Sequence, residues 1–260
     1  MFLQDKVLIV TGVGPGMGSK LCRIAAEQGA SVAVSARSEG FISELVEELH
    51  IAGHDAIAVP TDVSDDYQCR RLAAATVEAF GRIDGLVNSA RSRTRSRQIE
   101  QADLASWPPV MDVTCFGALR MSLAVLPTMK AQQDGAIVNV GTISTVWPGS
   151  GEANYAVAKA ALGGLTRHMA AEFAQYNIRV NHTRMGVLWG ASIQRLVRTR
   201  AKDEGRTEQD IIDDFIRNIP LGLIPPDDEC AKSVLFFVSD LARMVTGATL
   251  DINGGQYMAP

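Results

Sequence analysis

The sequence is poor in paired cysteines, in basic excess and in long apolar runs. Its four cysteines, Cys22, Cys69, Cys115 and Cys230, are scattered and form no CxxC pair. That argues against a disulfide framework and a structural zinc site, and no metal site is expected. No uninterrupted apolar run approaches the ~20 residues that span a bilayer. The N-terminal MFLQDKVLIVTG lacks the basic region, apolar stretch and cleavage site of a signal peptide. The expectation is a cytoplasmic protein without a membrane partner. Twenty-five basic residues against 29 acidic ones leave a net charge of -4, which disfavours a dedicated nucleic-acid binder. With 47% hydrophobic and 21% charged residues the chain is not disordered.

What is present alternates regularly. Short apolar runs at 7–10, 31–36, 56–59, 83–87, 136–140, 178–181 and 248–252 read as buried strands. Between them, 17–28, 40–52, 65–80, 103–131, 153–175 and 227–238 read as helices, with 103–131 as one long helix or two joined ones. Strands separated by helices predict βαβ units and a doubly wound α/β fold around a parallel sheet. No repeat or linker divides residues 1–260, so one domain is expected. Two segments break the rhythm. One is 91–102 (RSRTRSRQIEQA), and the other is 187–220, charged along one side. Both follow strands, and ligands in open α/β sheets bind beyond the strands' carboxyl ends. Both therefore qualify as cleft walls, with 187–220 as the expected substrate lid.

TGVGPGMG, residues 11–18, directly follows the first strand. Gly12, Gly16 and Gly18, with Gly14 extra, let the backbone turn tightly and approach a pyrophosphate, while the next helix offers unpaired N–H groups. No Gly-Lys-Ser/Thr follows, so this is not an ATPase phosphate loop. The second strand ends in Ser35-Ala36-Arg37-Ser38 rather than in a carboxylate. Arg37 can pair with a 2′-phosphate, so NADP(H) is the expected cofactor and NAD(H) the alternative. Asp62 can accept from an adenine amine with Val63 packed beside the ring, or it can cap the following helix.

Tyr155 and Lys159 lie four apart in NYAVAKAAL, hence on one helix face. A nearby ammonium favours the phenolate and fits the pair for acid–base work on a carbonyl or alcohol. By itself the spacing is common. Together with the glycine loop, the Asp62-Val63 step, NSA at 88–90, IRVN at 178–181 and the VTGATLDINGG ending, it gives a sequence that resembles the classical short-chain dehydrogenase/reductase family along nearly the whole chain.

The resemblance implies a Rossmann fold with a seven-stranded parallel sheet, and a homodimer or homotetramer. It assigns Tyr155 as acid–base residue and Lys159 as its partner, also a ribose ligand. It assigns Gly12, Gly16 and Gly18 to the cofactor loop, and Asp62 and Asn88 to further cofactor contacts. Gly14, Met17, Val63, Ala90, Gly186 and Val187 complete the expected cofactor set. Four departures stand out. The serine thirteen residues before the tyrosine is Thr142, with Ser144 as rival. The helix asparagine is replaced by Thr114, the NNAG glycine by Arg91, and the proline of the PG step by Met185. Arg91 opens a basic loop with Arg93, Arg95 and Arg97, which is either exposed or turned onto cofactor phosphate or an anionic substrate. Trp147 and Trp189 suggest an apolar or cyclic small molecule, or else core packing.

The expected activity is hydride transfer between NADP(H) and a ketone or secondary alcohol. A beta-ketoacyl-carrier reductase is the narrower version. A catalytically weak dinucleotide-binding sensor is the alternative from another class.

Overall fold

The structure is a computed structural model that describes residues 1–92 and 97–259. Seven strands form one sheet: β1 (Val7–Thr11), β2 (Ser31–Ser35), β3 (Ala56–Ala58), β4 (Gly85–Asn88), β5 (Gly135–Thr142), β6 (Ile178–Met185) and β7 (Thr249–Ile252). Every pairing is parallel, in the order β3-β2-β1-β4-β5-β6-β7. The order reverses direction between β1 and β4, so the crevice of a doubly wound sheet opens beyond Thr11 and Asn88.

The sheet is covered on both faces, which is why its central strands read as unbroken apolar runs. On one face α1 (Met17–Glu27), α2 (Glu39–Ile51) and α9 (Asp227–Val238) pack on Val10, Val32 and Val138. On the other, α3 (Asp66–Phe80), α5 (Gly117–Gln132) and α6 (Ala153–Phe173) cover Ile9, Leu86 and Ile137. The α3 boundaries have local causes. Asp65 accepts from the Tyr67 and Gln68 amides at its start, and left-handed Gly81 ends it.

The expected long helix is two joined ones. Short α4 (Trp107–Met111) passes through a π turn (Asp112–Phe116) into α5. By length and mean hydropathy, 1.4, the stretch Leu104–Gln132 matches a membrane span. In the fold Met121, Val125 and Met129 lie in the second core, as a core helix of a globular fold requires. β6 runs four residues beyond the expected 178–181, because Arg184 is matched by a two-pronged ion pair to Asp251 on β7 at 2.7 Å. Residues 187–220 contain a helical pair, α7 (Ala191–Glu204) and α8 (Glu208–Ile216), around its own small core of Val197, Ala201 and Ile211.

Candidate active site

The glycine loop is shaped by close approach. Gly12 has φ +72°, and a Cβ there would lie 2.5 Å from the Ala90 amide nitrogen. A Cβ on Gly18 would meet the Val13 Cα at 2.9 Å. Above Gly14 and Gly16 there is open space within 4 Å. Gly16 caps α1 without a side-chain bond, and the first turn holds no acidic residue. Its free N–H groups and the helix dipole favour an anion, which fits a dinucleotide pyrophosphate. Met17 packs on the first core from this turn.

Beside the loop, exposed Arg37 follows β2. Its charge acts on Asp62 at the end of β3. Burial pushes the Asp62 carboxyl up, but bonds from the Ser64 hydroxyl and amide, with Arg37, outweigh it and hold the group below its usual value. Asp62 thus shapes the turn, whereas the helix cap itself is Asp65. Val63 is buried, and a Cβ on Gly117 would press on it at 2.6 Å.

Tyr155 and Lys159 sit on α6, one turn apart. Lys159 is 2% exposed, and its ammonium donates to the Val140 carbonyl at 2.5 Å. Burial first, and then Arg91, pull its pKa down to about 7. The Tyr155 ring centroid lies 5.9 Å from that ammonium. Burial pushes the phenol above its ordinary value near 10; Glu152 adds to this, while Arg91 and a hydrogen bond with Thr142 act against it. Arg91 thus joins buried Lys159, whose ammonium lies over the ring, as a cation beside the phenol.

Thr142 ends β5, and a single 3-10 turn follows. Its hydroxyl accepts from the Ser144 amide at 3.3 Å and meets the Ser144 hydroxyl at the same distance. Ser144 donates on to Glu152 at 2.9 Å. Of the two rivals, Thr142 acts on the phenol, and Ser144 is bonded to Glu152.

Beneath the site runs a buried polar ladder that motif reading missed. Asn88 donates to Asn139 at 2.9 Å, and Asn139 donates to Thr166 on α6 at 2.9 Å. His182 on β6 lies 4% exposed with Nε2 lacking a partner, and burial first, then Lys159, lowers its pKa to about 4. A Cβ on Gly141 would come within 2.5 Å of the His182 ring, so that glycine makes room for it. Thr114 lies in the π turn with its hydroxyl buried and unpaired. Periodicity marks these positions only as buried; a polar residue inside a strand run is the one signal they leave.

At the rim, Met185 is buried, and Gly186 donates its amide to Ile252 at 3.0 Å. A Cβ there would strike Asn253 at 2.8 Å. Val187 is half-buried at the start of the segment carrying α7 and α8. Trp147 is 48% exposed beside the Thr142 turn. Trp189 packs on the small core of the helical pair. Arg93 and Arg95 lie outside the described residues. Among the described residues no group of histidine, cysteine and carboxylate side chains is set to hold a metal, and all four cysteines are free and buried.

Comparison with known proteins agrees with this geometry. Residues 12–256 match the family described as enoyl-(acyl carrier protein) reductase. A 3-oxoacyl-(acyl-carrier-protein) reductase of Vibrio cholerae is 32% identical over 258 residues, 99% of this chain and 100% of the relative. The enzyme of the same name from Staphylococcus epidermidis is 31% identical over 256 residues, 98% of this chain and 100% of its own. The crystal structure of levodione reductase superimposes with a TM-score of 0.87 at 27% identity, covering 97% of this chain and 98% of that one.

Proposed function

This chain belongs to the classical short-chain dehydrogenase/reductase family, an NAD(P)H-dependent oxidoreductase acting between ketone and alcohol, and on that premise we propose how its own residues do the work. One observation carries the assignment: buried Lys159 lies one turn from Tyr155 with its ammonium 5.9 Å from the centre of the phenol ring, and Thr142 at the end of β5 acts on the same phenol. When bound, the nicotinamide dinucleotide supplies or accepts the hydride. Thr142 polarises the substrate oxygen and Tyr155 passes it a proton. With its pKa above the ordinary value near 10, the phenol is protonated at neutral pH, the state that donates to a carbonyl oxygen. As the proton leaves, the phenolate lies in the field of Arg91. Lys159 presents its ammonium at the floor of the cleft.

The preferred cofactor is NADP(H). Arg37 has no ion-pair partner among the described residues, and the glycine loop offers the pyrophosphate its cradle. The substrate is a small ketone or alcohol, apolar or cyclic in part. Exposed Trp147 and the likeness to levodione reductase support that class. The full-length likeness to 3-oxoacyl-carrier reductases favours a second reading, in which the ketone is an acyl thioester. The helical pair at 187–220 serves as the lid. Exposed Phe116, Leu123 and Val157 on and beside α5 and α6 support a homodimer or homotetramer, and free, buried cysteines suit the cytoplasm.

The test is turnover of cyclic ketones and of acetoacetyl thioesters by the wild type and by Tyr155→Phe, with NADPH binding followed by fluorescence. Loss of turnover by about a hundredfold or more with NADPH still bound is expected. Turnover of the variant within about tenfold of wild type sinks the assignment of Tyr155.

A further inference from the structure

The position after β4 that the family fills with glycine carries Arg91, and the architecture brings it to the reacting end of the cleft. In the parallel register of β4 and β5, Asn88 stands opposite Asn139. β4 ends there, and Arg91 follows three residues beyond it, at the same carboxyl end of the sheet as Thr142, the last residue of β5. The backbone just before it is pinned, because Gly12 leaves no room for a side chain against Ala90. The chain after it is fastened to the turn that leads into α6. The Arg97 amide donates to the Gly151 carbonyl at 3.1 Å, and the Gln98 side chain reaches the Ser150 hydroxyl at 2.5 Å. Arg91 and Tyr155 thus border the same end of the sheet, and the guanidinium's charge reaches both Tyr155 and Lys159.

That guanidinium is exposed and has no carboxylate partner among the described residues. Glu152, the anion acting on the phenol, is held by Ser144 at 2.9 Å. A planar guanidinium fork matches a carboxylate through two parallel charge-assisted hydrogen bonds. The cofactor phosphates have other receivers, the α1 N-terminus and Arg37, which lie on β1 and β2 rather than beside Thr142. We propose that Arg91 determines specificity by binding a carboxylate on the substrate itself, so that the preferred substrates are oxo acids. Arg91 and Thr142 border the same end of the cleft, so the carboxylate lies only a few bonds from the reacting carbonyl. This deepens the oxidoreductase reading and rests on it.

The probe is 3-oxocyclohexane-1-carboxylate against its methyl ester, with NADPH, in the wild type, Arg91→Gly and Arg91→Lys. The readout is the acid-to-ester ratio of kcat/KM within each protein, so a general change in the phenol cancels. The wild type favours the acid by about tenfold or more, Arg91→Gly loses that preference, and Arg91→Lys recovers part of it. A wild-type ratio near one, or a ratio unchanged in Arg91→Gly, overturns the proposal. Weaker NADPH binding with an unchanged ratio also overturns it and moves Arg91 to the cofactor. Binding is read separately, by fluorescence titration of Tyr155→Phe with NADPH and each probe. No acid preference there overturns the proposal even without turnover. Turnover that survives Tyr155→Phe overturns the acid–base assignment instead, and leaves the ratio to judge Arg91.

Discussion

The buried ammonium of Lys159 donates to the carbonyl of Val140, one residue before the glycine that admits His182. Burial, with Arg91 adding to it, brings this lysine from 10.5 to about 7. Between those values the unfolded chain carries a proton that the folded chain lacks. Stability therefore rises with pH across that window, and below about 7 the penalty of a buried charge is fully present. Lys159→Met, of similar length and without the charge, should lose that rise. Melting temperatures of both proteins at pH 6.5, 8 and 9.5 check it. Parallel curves would mean that Lys159 does not titrate in this range.

Arg37 and Asp62 lie in the loops that follow the neighbouring strands β2 and β3, and Arg37 is the cation placed to receive a 2′-phosphate. Arg37→Ala should lower the ratio of NADPH to NADH affinity by about tenfold or more, the scale of one charge-assisted contact. Fluorescence titration with each nucleotide at matched ionic strength reads the ratio. An unchanged ratio assigns the phosphate to other residues or the site to NAD(H).

Thr142 acts on the phenol, whereas Ser144 is bonded to Glu152. Thr142→Ala should cost on the order of a hundredfold in kcat, as loss of one donor to a developing oxyanion does. Thr142→Ser keeps the hydroxyl and should stay within about fivefold. Ser144→Ala, which frees Glu152, should cost less than Thr142→Ala. If Ser144→Ala is the costlier change, the polarising role passes to it.

Much of this was legible because a sheet covered on both faces writes its strands as apolar runs. β1, β2 and β5 are such runs. β6 was read short because Thr183 and Arg184 are polar, and Arg184 is masked by Asp251, 67 residues away. The acid–base pair was legible as a helical spacing. The ladder through Asn88, Asn139 and Thr166 was not, since its bonds join positions 51 and 27 apart. Arg91 stood out as a departure, but only the fold brought it to the same end of the sheet as Thr142. By composition Trp189 fits a pocket or core packing alike, and its contact with the α7–α8 cluster becomes visible only in the fold.

The last prediction separates the two halves of the glycine loop. Gly12 combines φ +72° with a Cβ position 2.5 Å from the Ala90 amide nitrogen, so a side chain there strains the backbone and collides with backbone that cannot yield. Gly14 has an ordinary φ, and a Cβ would meet nothing within 4 Å. Gly12→Ala should cost about 2 kcal/mol or more, lowering the melting temperature by several degrees. It should also weaken NADPH, because the β1 and β4 ends shift apart at the crevice. Gly14→Ala should melt within about a degree of the wild type, since the new methyl group enters open space. Its NADPH affinity then reports how closely the pyrophosphate approaches that backbone. Equal melting temperatures for the two variants would show that the loop tolerates a side chain against Ala90, and the tight crevice would not be what makes Gly12 necessary.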